Sequence, residues 1–140
     1  MITMKLCSAC LLGVKCRYNG KSALNKKVVS LLRSEVLIPV CPEQLGGLPT
    51  PREPAEIVGN RVFTISGRDV TENFIRGAKE TLRIAKLFNI SEAVMKQGSP
   101  SCGFGRIYDG TFSGKTRKGE GVTATLLKKH GIKIVTEEDL

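Results

Sequence analysis

The sequence contains no tryptophan, and none of its apolar runs approaches the length of a membrane span. The longest runs, such as VLIPV at 36–40, have the length of a strand, whereas a spanning helix needs about 18 apolar residues. The N-terminal stretch 1–6 is broken by Lys5 and is too short for the apolar core of a signal peptide. We therefore expect a cytoplasmic protein without a membrane segment.

Histidine is almost missing as well, which limits the kinds of catalysis to consider. The single histidine, His130, falls at the end of the last predicted helix, a position typical of a surface residue near a helix terminus. A lone nucleophilic cysteine needs a base close by. The sequence offers no histidine placed for that task.

Acidic residues are outnumbered, since 22 Lys and Arg face 13 Asp and Glu and leave a net charge of +9. This balance favours anionic partners such as phosphates, nucleotides or RNA. No arginine-rich tract and no basic patch interleaved with aromatics accompanies it. A solvated basic surface is the simpler interpretation, and we do not expect nucleic acid to be the main partner.

Five cysteines are present, an odd number. In a reducing compartment an odd count argues against a disulfide framework. Metal, cluster or nucleophile chemistry is the better expectation for these residues.

The chain 1–140 shows no internal repeat or linker, so we expect a single domain. Apolar periodicity predicts four main strands and three helices. The strands are expected at 4–9, 36–40, 92–96 and 132–135, and the helices at 24–33, 71–88 and 122–130. A small β-excursion is expected at 56–65 with 68–70, and a glycine-rich loop at 103–121. Alternation of strands and helices predicts a Rossmann-like, doubly wound α/β fold with a mostly parallel sheet of about four strands.

Two details of these elements can be predicted more closely. The strand 36–40 is a continuous apolar run typical of burial on both faces, although Pro39 cannot donate to a ladder. The helix 71–88 begins at a capping box formed by Asp69 and Glu72, or at Thr71 as the cap. Its buried face is expected to consist of Ile75, Ala78, Leu82 and Ala85.

Three cysteines each follow a predicted strand. Cys10 comes after the first, Cys41 after the second and Cys102 after the third. The carboxyl ends of parallel strands lie along one edge of the sheet, where ligands of such folds bind. Cysteines that only fill the core would be scattered within strands and helices. We therefore expect these three thiols to meet at one site.

Several sites could use three thiolates. A structural zinc site requires four ligands, often in paired C-x-x-C knuckles. Cys7 and Cys10 form one such pair, but the second is missing. A four-iron cluster on three cysteines leaves one iron open to substrate.

One apparent nucleotide motif is rejected. The segment GTFSGKT at 110–116 resembles a phosphate-binding P-loop, but it has three residues between its glycines where four are required. It also continues into RKGEG instead of a helix. The glycines are better suited to a loop that closes over a site.

Several blocks of the sequence, in order along nearly the whole chain, resemble the thiouracil desulfidase family. The blocks are CLLGVKCRYNG, CPEQLGGLPTPREPAE, GSPSCG and IYDGTFSG followed by GEGVTATLL. The resemblance implies a Rossmann-like domain that holds a 4Fe-4S cluster and removes the sulfur of a small thiolated substrate such as 2-thiouracil as sulfide, without net redox change. It also implies that Cys10, Cys41 and Cys102 are the cluster ligands, and that Glu43 and Ser101 are the catalytic pair.

The remaining candidates come from their place near these blocks. Arg17 and Arg52 are candidate clamps for an anion or the substrate, and Tyr18 could stack on a pyrimidine or pack on its own loop. Cys7 and Cys16 are expected to be buried small hydrophobes, with a spare ligand or a sulfur acceptor as the alternative.

The expected mechanism has the substrate's thiocarbonyl sulfur on the open iron, while Glu43 activates a water and Ser101 or Glu43 returns a proton. Alternative functions are sulfur transfer to a nucleoside or tRNA, and a cluster or zinc carrier without catalysis.

Overall fold

The computed structural model describes residues 3–140 and contains one four-stranded sheet, two small hairpins and four α-helices within that range. The strands are β1 Thr3–Ser8, β2 Glu35–Val40, β3 Ala55–Val58, β4 Arg61–Thr64, β5 Glu92–Met95, β6 Phe104–Tyr108, β7 Thr116–Glu120 and β8 Lys133–Thr136. The helices are α1 Lys26–Ser30, α2 Pro42–Leu45, α3 Thr71–Leu87 and α4 Val122–Lys129, with short 3-10 turns at Ala9–Leu12, Leu31–Arg33 and Glu137–Asp139.

The main sheet has the strand order β2-β1-β5-β8, and every neighbouring pair is parallel. Alternation along each strand sends neighbouring side chains to opposite faces. On β1, Leu6 packs with Leu82 of α3 and Leu127 of α4, whereas Cys7 packs with Val28 of α1. Helices thus cover both faces of a parallel sheet, which confirms the predicted Rossmann-like architecture.

β2 is an edge strand and not the fully buried strand that its apolar run predicts. Leu37 and Val40 are buried, but Pro39 is exposed. β1 lies on one side of β2, and among residues 3–140 no further strand of the main sheet lies on the other. Proline tolerates this position because its missing N–H leaves no ladder partner unsatisfied there.

The first helix is shorter than the predicted 24–33. Asn25 caps it, because its side-chain oxygen accepts from the backbone N–H groups of Lys27 and Val28. After Ser30 the chain tightens into the 3-10 turn Leu31–Arg33.

The expected capping box at the start of α3 does not form. Asp69 accepts from the backbone N–H of Thr71 and also pairs with Arg61, while the Thr71 hydroxyl accepts from the N–H of Val62. These side chains tie the helix to the β3–β4 hairpin instead of closing its first turn. Phe74 supplies the apolar contact on this face, and Ile75 is only half-buried.

The predicted glycine-rich loop 103–121 is wrong over most of its length, because β6 and β7 form an antiparallel hairpin there. Gly105 pairs with Gly119 across the hairpin, and Ile107 is its buried anchor. Glycines and charged residues hide the alternating pattern by which a strand is recognised in sequence. Only the connection 109–115 is a loop.

Within residues 3–140 no helix is both long enough and apolar enough to cross a membrane.

Candidate functional site

A cavity of about 240 Å³ lies at the carboxyl ends of β1, β2 and β5. Cys10, Cys41 and Cys102 all line it, so the three cysteines that follow strands in the sequence share one space. Cys7 does not line this cavity and is fully buried against α1. Cys16 does line it, from the loop after the first 3-10 turn.

Cys10 lies in the 3-10 turn Ala9–Leu12 directly after β1 and is buried. Its carbonyl oxygen accepts from the backbone N–H of Gly13 and Ala23, which fixes the turn. Burial raises the pKa of the Cys10 thiol to about 11, while the positive charges of Lys96 and Arg17 oppose that rise. The cavity wall therefore carries positive charge near this thiol.

Cys41 is the N-cap residue of α2, with Pro42 in the first helical position. The Cys41 thiol donates to the carbonyl oxygen of Cys16 at 3.7 Å. Interaction with the Cys16 side chain, with the Gln44 N–H and the Arg52 charge, outweighs burial and lowers the pKa of Cys41 to about 6. The same interaction, with burial, raises the pKa of Cys16. Cys41 is thus the thiol of this pair that ionises first.

Cys102 lies in the turn after β5 and is almost fully buried. The hydroxyl oxygen of Ser99 accepts from the backbone N–H groups of Ser101 and Cys102, at 3.1 and 3.0 Å, and so shapes the turn. Burial raises the pKa of the Cys102 thiol to about 12, although a hydrogen bond from Ser8 opposes it.

Ser101 does not line the cavity. Its side chain is 1% exposed and its hydroxyl lies 2.8 Å from that of Thr123 on α4. This position favours the role of a hydroxyl that stabilises the turn over that of a donor to the substrate. Ser99, two residues earlier, is the hydroxyl of this turn that faces the cavity.

Glu43 and Arg52 line the cavity as a buried ion pair. Nε of Arg52 lies 2.9 Å from Oε1 of Glu43, and their side chains are only 7% and 16% exposed. The other guanidinium nitrogens donate to the carbonyl oxygens of Pro49 and Cys16 and to the Thr50 hydroxyl, and Nη2 lies 4.0 Å from the sulfur of Cys41. Arg52 is therefore not a free clamp for an anion, since its donors already hold Glu43 and two loops in place.

Arg17 and Tyr18 lie at the rim of the cavity. The Arg17 guanidinium stands 5.7 Å from the centre of the Tyr18 ring, a cation–π contact. Tyr18 is 37% exposed. Both side chains are accessible to a ligand, as expected for substrate-binding residues.

The sequence alone did not point to five further residues of the cavity wall. They are Ser8, Glu56, Lys96, Ser99 and Tyr108. Ser8 and Lys96 stand at the ends of β1 and β5, so the rule that selected the cysteines could have found them. Glu56 and Tyr108 reach the cavity from the two hairpins, which no periodicity locates relative to the sheet.

Among residues 3–140, no three side chains of the His, Cys, Asp or Glu type come close enough together to hold a single metal ion.

Comparison with known proteins agrees with this architecture. A family model described as 2-thiouracil desulfurase matches residues 6–139. The uncharacterized protein YbbK of Bacillus subtilis is 48% identical over 147 residues, covering 98% of this chain and 97% of that protein. A solved structure, described as a 4Fe-4S-dependent thiouracil desulfidase named TudS, superposes with a TM-score of 0.93 at 46% identity, covering 99% of this chain and 93% of that one.

Proposed function

The chain belongs to the 2-thiouracil desulfurase family, and on that premise we propose that it is a 4Fe-4S-dependent desulfidase for small thiolated molecules such as 2-thiouracil. The observation that carries the proposal is the meeting of three strand-end thiols, Cys10, Cys41 and Cys102, around one cavity. The likeness to a solved desulfidase over nearly the whole chain supports the same conclusion.

The residues of the cavity suit such a cluster. Cys10, Cys41 and Cys102 would hold it, since thiolates are the ligands of iron–sulfur clusters. The nearby charges of Lys96, Arg17 and Arg52 favour the ionised thiols and offset their negative charge. When bound on three thiolates, the cluster supplies an iron without a protein ligand, which is a Lewis acid for a soft thiocarbonyl sulfur.

The reaction replaces a carbon–sulfur double bond by a carbon–oxygen double bond and is a hydrolysis. Water supplies the oxygen, the sulfur leaves as hydrogen sulfide, and no electron is gained or lost overall. Both protons of the attacking water must leave its oxygen, and two protons must reach the departing sulfur. A group that can exchange protons close to the reacting carbon is therefore required.

Glu43 is the carboxylate that we assign to this proton transfer. It follows Cys41 by two residues and lies in the wall of the same cavity. Arg52 binds its Oε1, which fixes the carboxylate and leaves Oε2 as the oxygen available to a water. Ser101 is assigned a supporting role instead, because its hydroxyl pairs with Thr123 and stabilises the turn that carries Cys102.

Arg17 and Tyr18 are assigned to the substrate. The ring can stack on a flat heterocycle, and the guanidinium can donate to its carbonyl oxygen. Their place at the rim and their exposure support this assignment.

The test is anaerobic reconstitution with iron and sulfide, followed by measurement of sulfide release from 2-thiouracil. We expect about four iron and four sulfide per chain, a broad brown absorbance, and equal amounts of uracil and sulfide. Zinc-loaded protein is the matched control and should release none. Reconstituted protein with a full cluster and no sulfide release would contradict the proposed activity, and stoichiometric zinc without bindable iron would contradict the proposed cofactor.

A further inference from the structure

A buried carboxylate in the cavity wall binds the loop between β6 and β7. Glu56 lies on β3, is 8% exposed and lines the cavity. Its Oε1 accepts from the backbone N–H of Gly110 at 3.0 Å and from that of Phe112 at 3.1 Å. Bonds from amides to a charged acceptor are stronger than bonds between neutral groups. One side chain therefore fixes the loop 109–115 to the β3–β4 hairpin.

The loop 109–115 contains backbone conformations that are unfavourable unless neighbouring groups stabilise them. Phe112 has a φ of 56°, in the left-handed region that a bulky residue rarely adopts. Gly110 has a φ of 92°, and a Cβ at this position would lie 2.7 Å from the carbonyl oxygen of Ile57 on β3. Such conformations persist only where neighbouring contacts enforce them. Asp109 caps the loop from within by accepting from Thr111, and the two bonds to Glu56 are the ones that attach it to β3.

Tyr108 lies between this attachment and a second one. On one side its neighbour Ile107 pairs with Gly98 in the turn after β5. On the other side, two residues further on, Gly110 is bound to Glu56. The ring packs beside Gly98, because a Cβ there would lie 3.9 Å from Cε2 of Tyr108. Tyr108 is 41% exposed and lines the cavity.

An aromatic side chain held from both sides is preorganised to receive a flat ligand. Stacking of a base on an aromatic ring contributes to binding for any heterocycle, since every such ring has a π-face. A ring already in place loses little conformational entropy when the ligand binds. Glu56 is assigned to the loop because its Oε1 accepts from both Gly110 and Phe112. Proton transfer stays assigned to Glu43, which follows Cys41 by two residues.

We propose that the ring of Tyr108 contacts a planar heterocyclic substrate, and that Glu56 is the positioning residue that holds Tyr108 at the cavity. Together they set the affinity for the substrate and leave the rate of carbon–sulfur cleavage to other groups. The identity of the ligand rests on the proposed function, whereas the attachment of the loop by Glu56 does not.

The attachment is tested by hydrogen–deuterium exchange of the segment 109–115 in the cluster-loaded protein, read by mass spectrometry. Glu56→Ala removes both bonds and should speed exchange there by about tenfold or more. Glu56→Gln keeps a carbonyl oxygen as acceptor and should preserve most of the protection. Glu53→Ala is the matched control, because Glu53 bonds to Ser66 and lies outside the cavity wall. Unchanged exchange in Glu56→Ala would overturn the attachment.

The role in binding is tested by steady-state kinetics with 2-thiouracil. Tyr108→Ala and Glu56→Ala should each raise KM about tenfold, while kcat stays within about threefold. Tyr108→Phe keeps the ring and should resemble the unaltered protein. A fall in kcat with unchanged KM would overturn the proposal. If Glu56→Ala does not fold, Tyr108→Ala decides, since this half-exposed residue is not part of the core.

The two experiments separate this inference from the proposed function. If the reconstituted protein releases no sulfide from 2-thiouracil, the proposed function fails, but exchange in the segment 109–115 still decides whether Glu56 holds the loop. If sulfide is released with normal KM in both Ala variants, the proposed function stands and this inference is wrong.

Discussion

The four cysteines of the cavity are not equivalent. Cys10 and Cys102 are buried thiols with raised pKa values, whereas Cys41 is held near Arg52 with a lowered pKa. The interaction between Cys16 and Cys41 raises the pKa of Cys16 while it lowers that of Cys41. This difference leads to a prediction for each residue.

Replacement of Cys10, Cys41 or Cys102 by serine should abolish the cluster, because two remaining thiolates do not hold a cubane in place. Cys16→Ser keeps the backbone carbonyl that accepts from the Cys41 thiol, and Cys7→Ser lies outside the cavity, so both should retain iron. Iron and acid-labile sulfide per chain after reconstitution are the measurement. A Cys16 or Cys7 variant that loses iron as completely as Cys41→Ser would show that the ligand set is different.

Glu43→Gln tests the proton transfer apart from cluster assembly. The amide keeps the length of the side chain and can still accept from Nε of Arg52, but it cannot take up a proton. A general base contributes about a hundredfold to ten-thousandfold to rate. We therefore expect a normal iron content and a kcat at least about a hundred times lower.

Ser101→Ala is the comparison for Glu43→Gln. Its hydroxyl pairs with Thr123 inside the protein, so the loss in kcat should be much smaller and a decrease in stability should accompany it. Near-normal turnover of Glu43→Gln would remove Glu43 from the mechanism, and a loss of cluster in that variant would make its role structural.

The sequence shows which residues follow strand ends, but it does not show contacts between distant loops. Cys10 and Cys41 follow strands whose apolar pattern is readable, and the edge of a parallel sheet brings such ends together. Arg52 looks the same in sequence whether it faces a substrate or Glu43. Only the fold shows that its donors are already occupied.

At the scale of elements, α2 is held in place by a contact between glycines. A Cβ on Gly77 of α3 would lie 1.9 Å from the carbonyl oxygen of Pro42, and one on Gly46 would lie 2.0 Å from that of Asn73. The Asn73 side chain also donates to the carbonyl of Gly46 at 2.9 Å. The backbone of α2 thus lies directly on α3, which fixes the segment that presents Cys41 and Glu43.

Gly77→Ala should therefore disturb the site from a distance. Alanine normally stabilises a helix over glycine by about 1 kcal/mol, but here the added methyl group would overlap backbone atoms, and overpacking costs about 1–3 kcal/mol. We expect a net decrease in the free energy of unfolding and a lower iron content, because α2 must move. Denaturant unfolding and iron analysis are the measurements.

Lys79→Ala is the control on the same helix, at an exposed position. It should change the free energy of unfolding by no more than about 0.5 kcal/mol and leave the iron content unchanged. A Gly77→Ala protein as stable and as rich in iron as Lys79→Ala would show that α2 does not depend on this contact.

The elements that the sequence predicted poorly are those whose pattern is diluted by glycine. The 103–121 segment forms β6 and β7 because Ile107 is buried and cross-strand pairing is completed, yet its alternation is interrupted by glycines at 105 and 119. The strands of the main sheet carry short apolar runs without glycine and were found within about two residues, an ordinary uncertainty for element ends. The β6–β7 hairpin, which places Tyr108 at the cavity, was therefore the part of the site that could not be predicted from the sequence.

At the scale of the whole molecule, the net charge is +9, and only some of the basic residues lie at the cavity. Arg17, Arg52 and Lys96 lie at the site, but the outer face of α3 carries Arg76, Lys79, Arg83 and Lys86, all exposed. Within residues 3–140 none of these four lies in a salt bridge with a carboxylate. Glu72 and Glu80 lie one turn before and one turn after Arg76 on the same helix, so this face keeps a modest positive excess that attracts a polyanion.

Such a surface should bind RNA weakly and without selectivity. Non-specific affinities governed by phosphates correspond to Kd values of about 10⁻⁴–10⁻⁶ M near physiological salt and fall steeply as salt rises. We expect binding of this kind by fluorescence anisotropy with unmodified tRNA, and we expect the double variant Lys79→Glu/Arg83→Glu to lose most of it. Sulfide release from free 2-thiouracil should be unaffected in that variant, because neither residue lines the cavity. Tight, salt-resistant and selective binding of thiolated tRNA would instead favour a function on RNA, since a row of surface cations carries no information about base or sulfur.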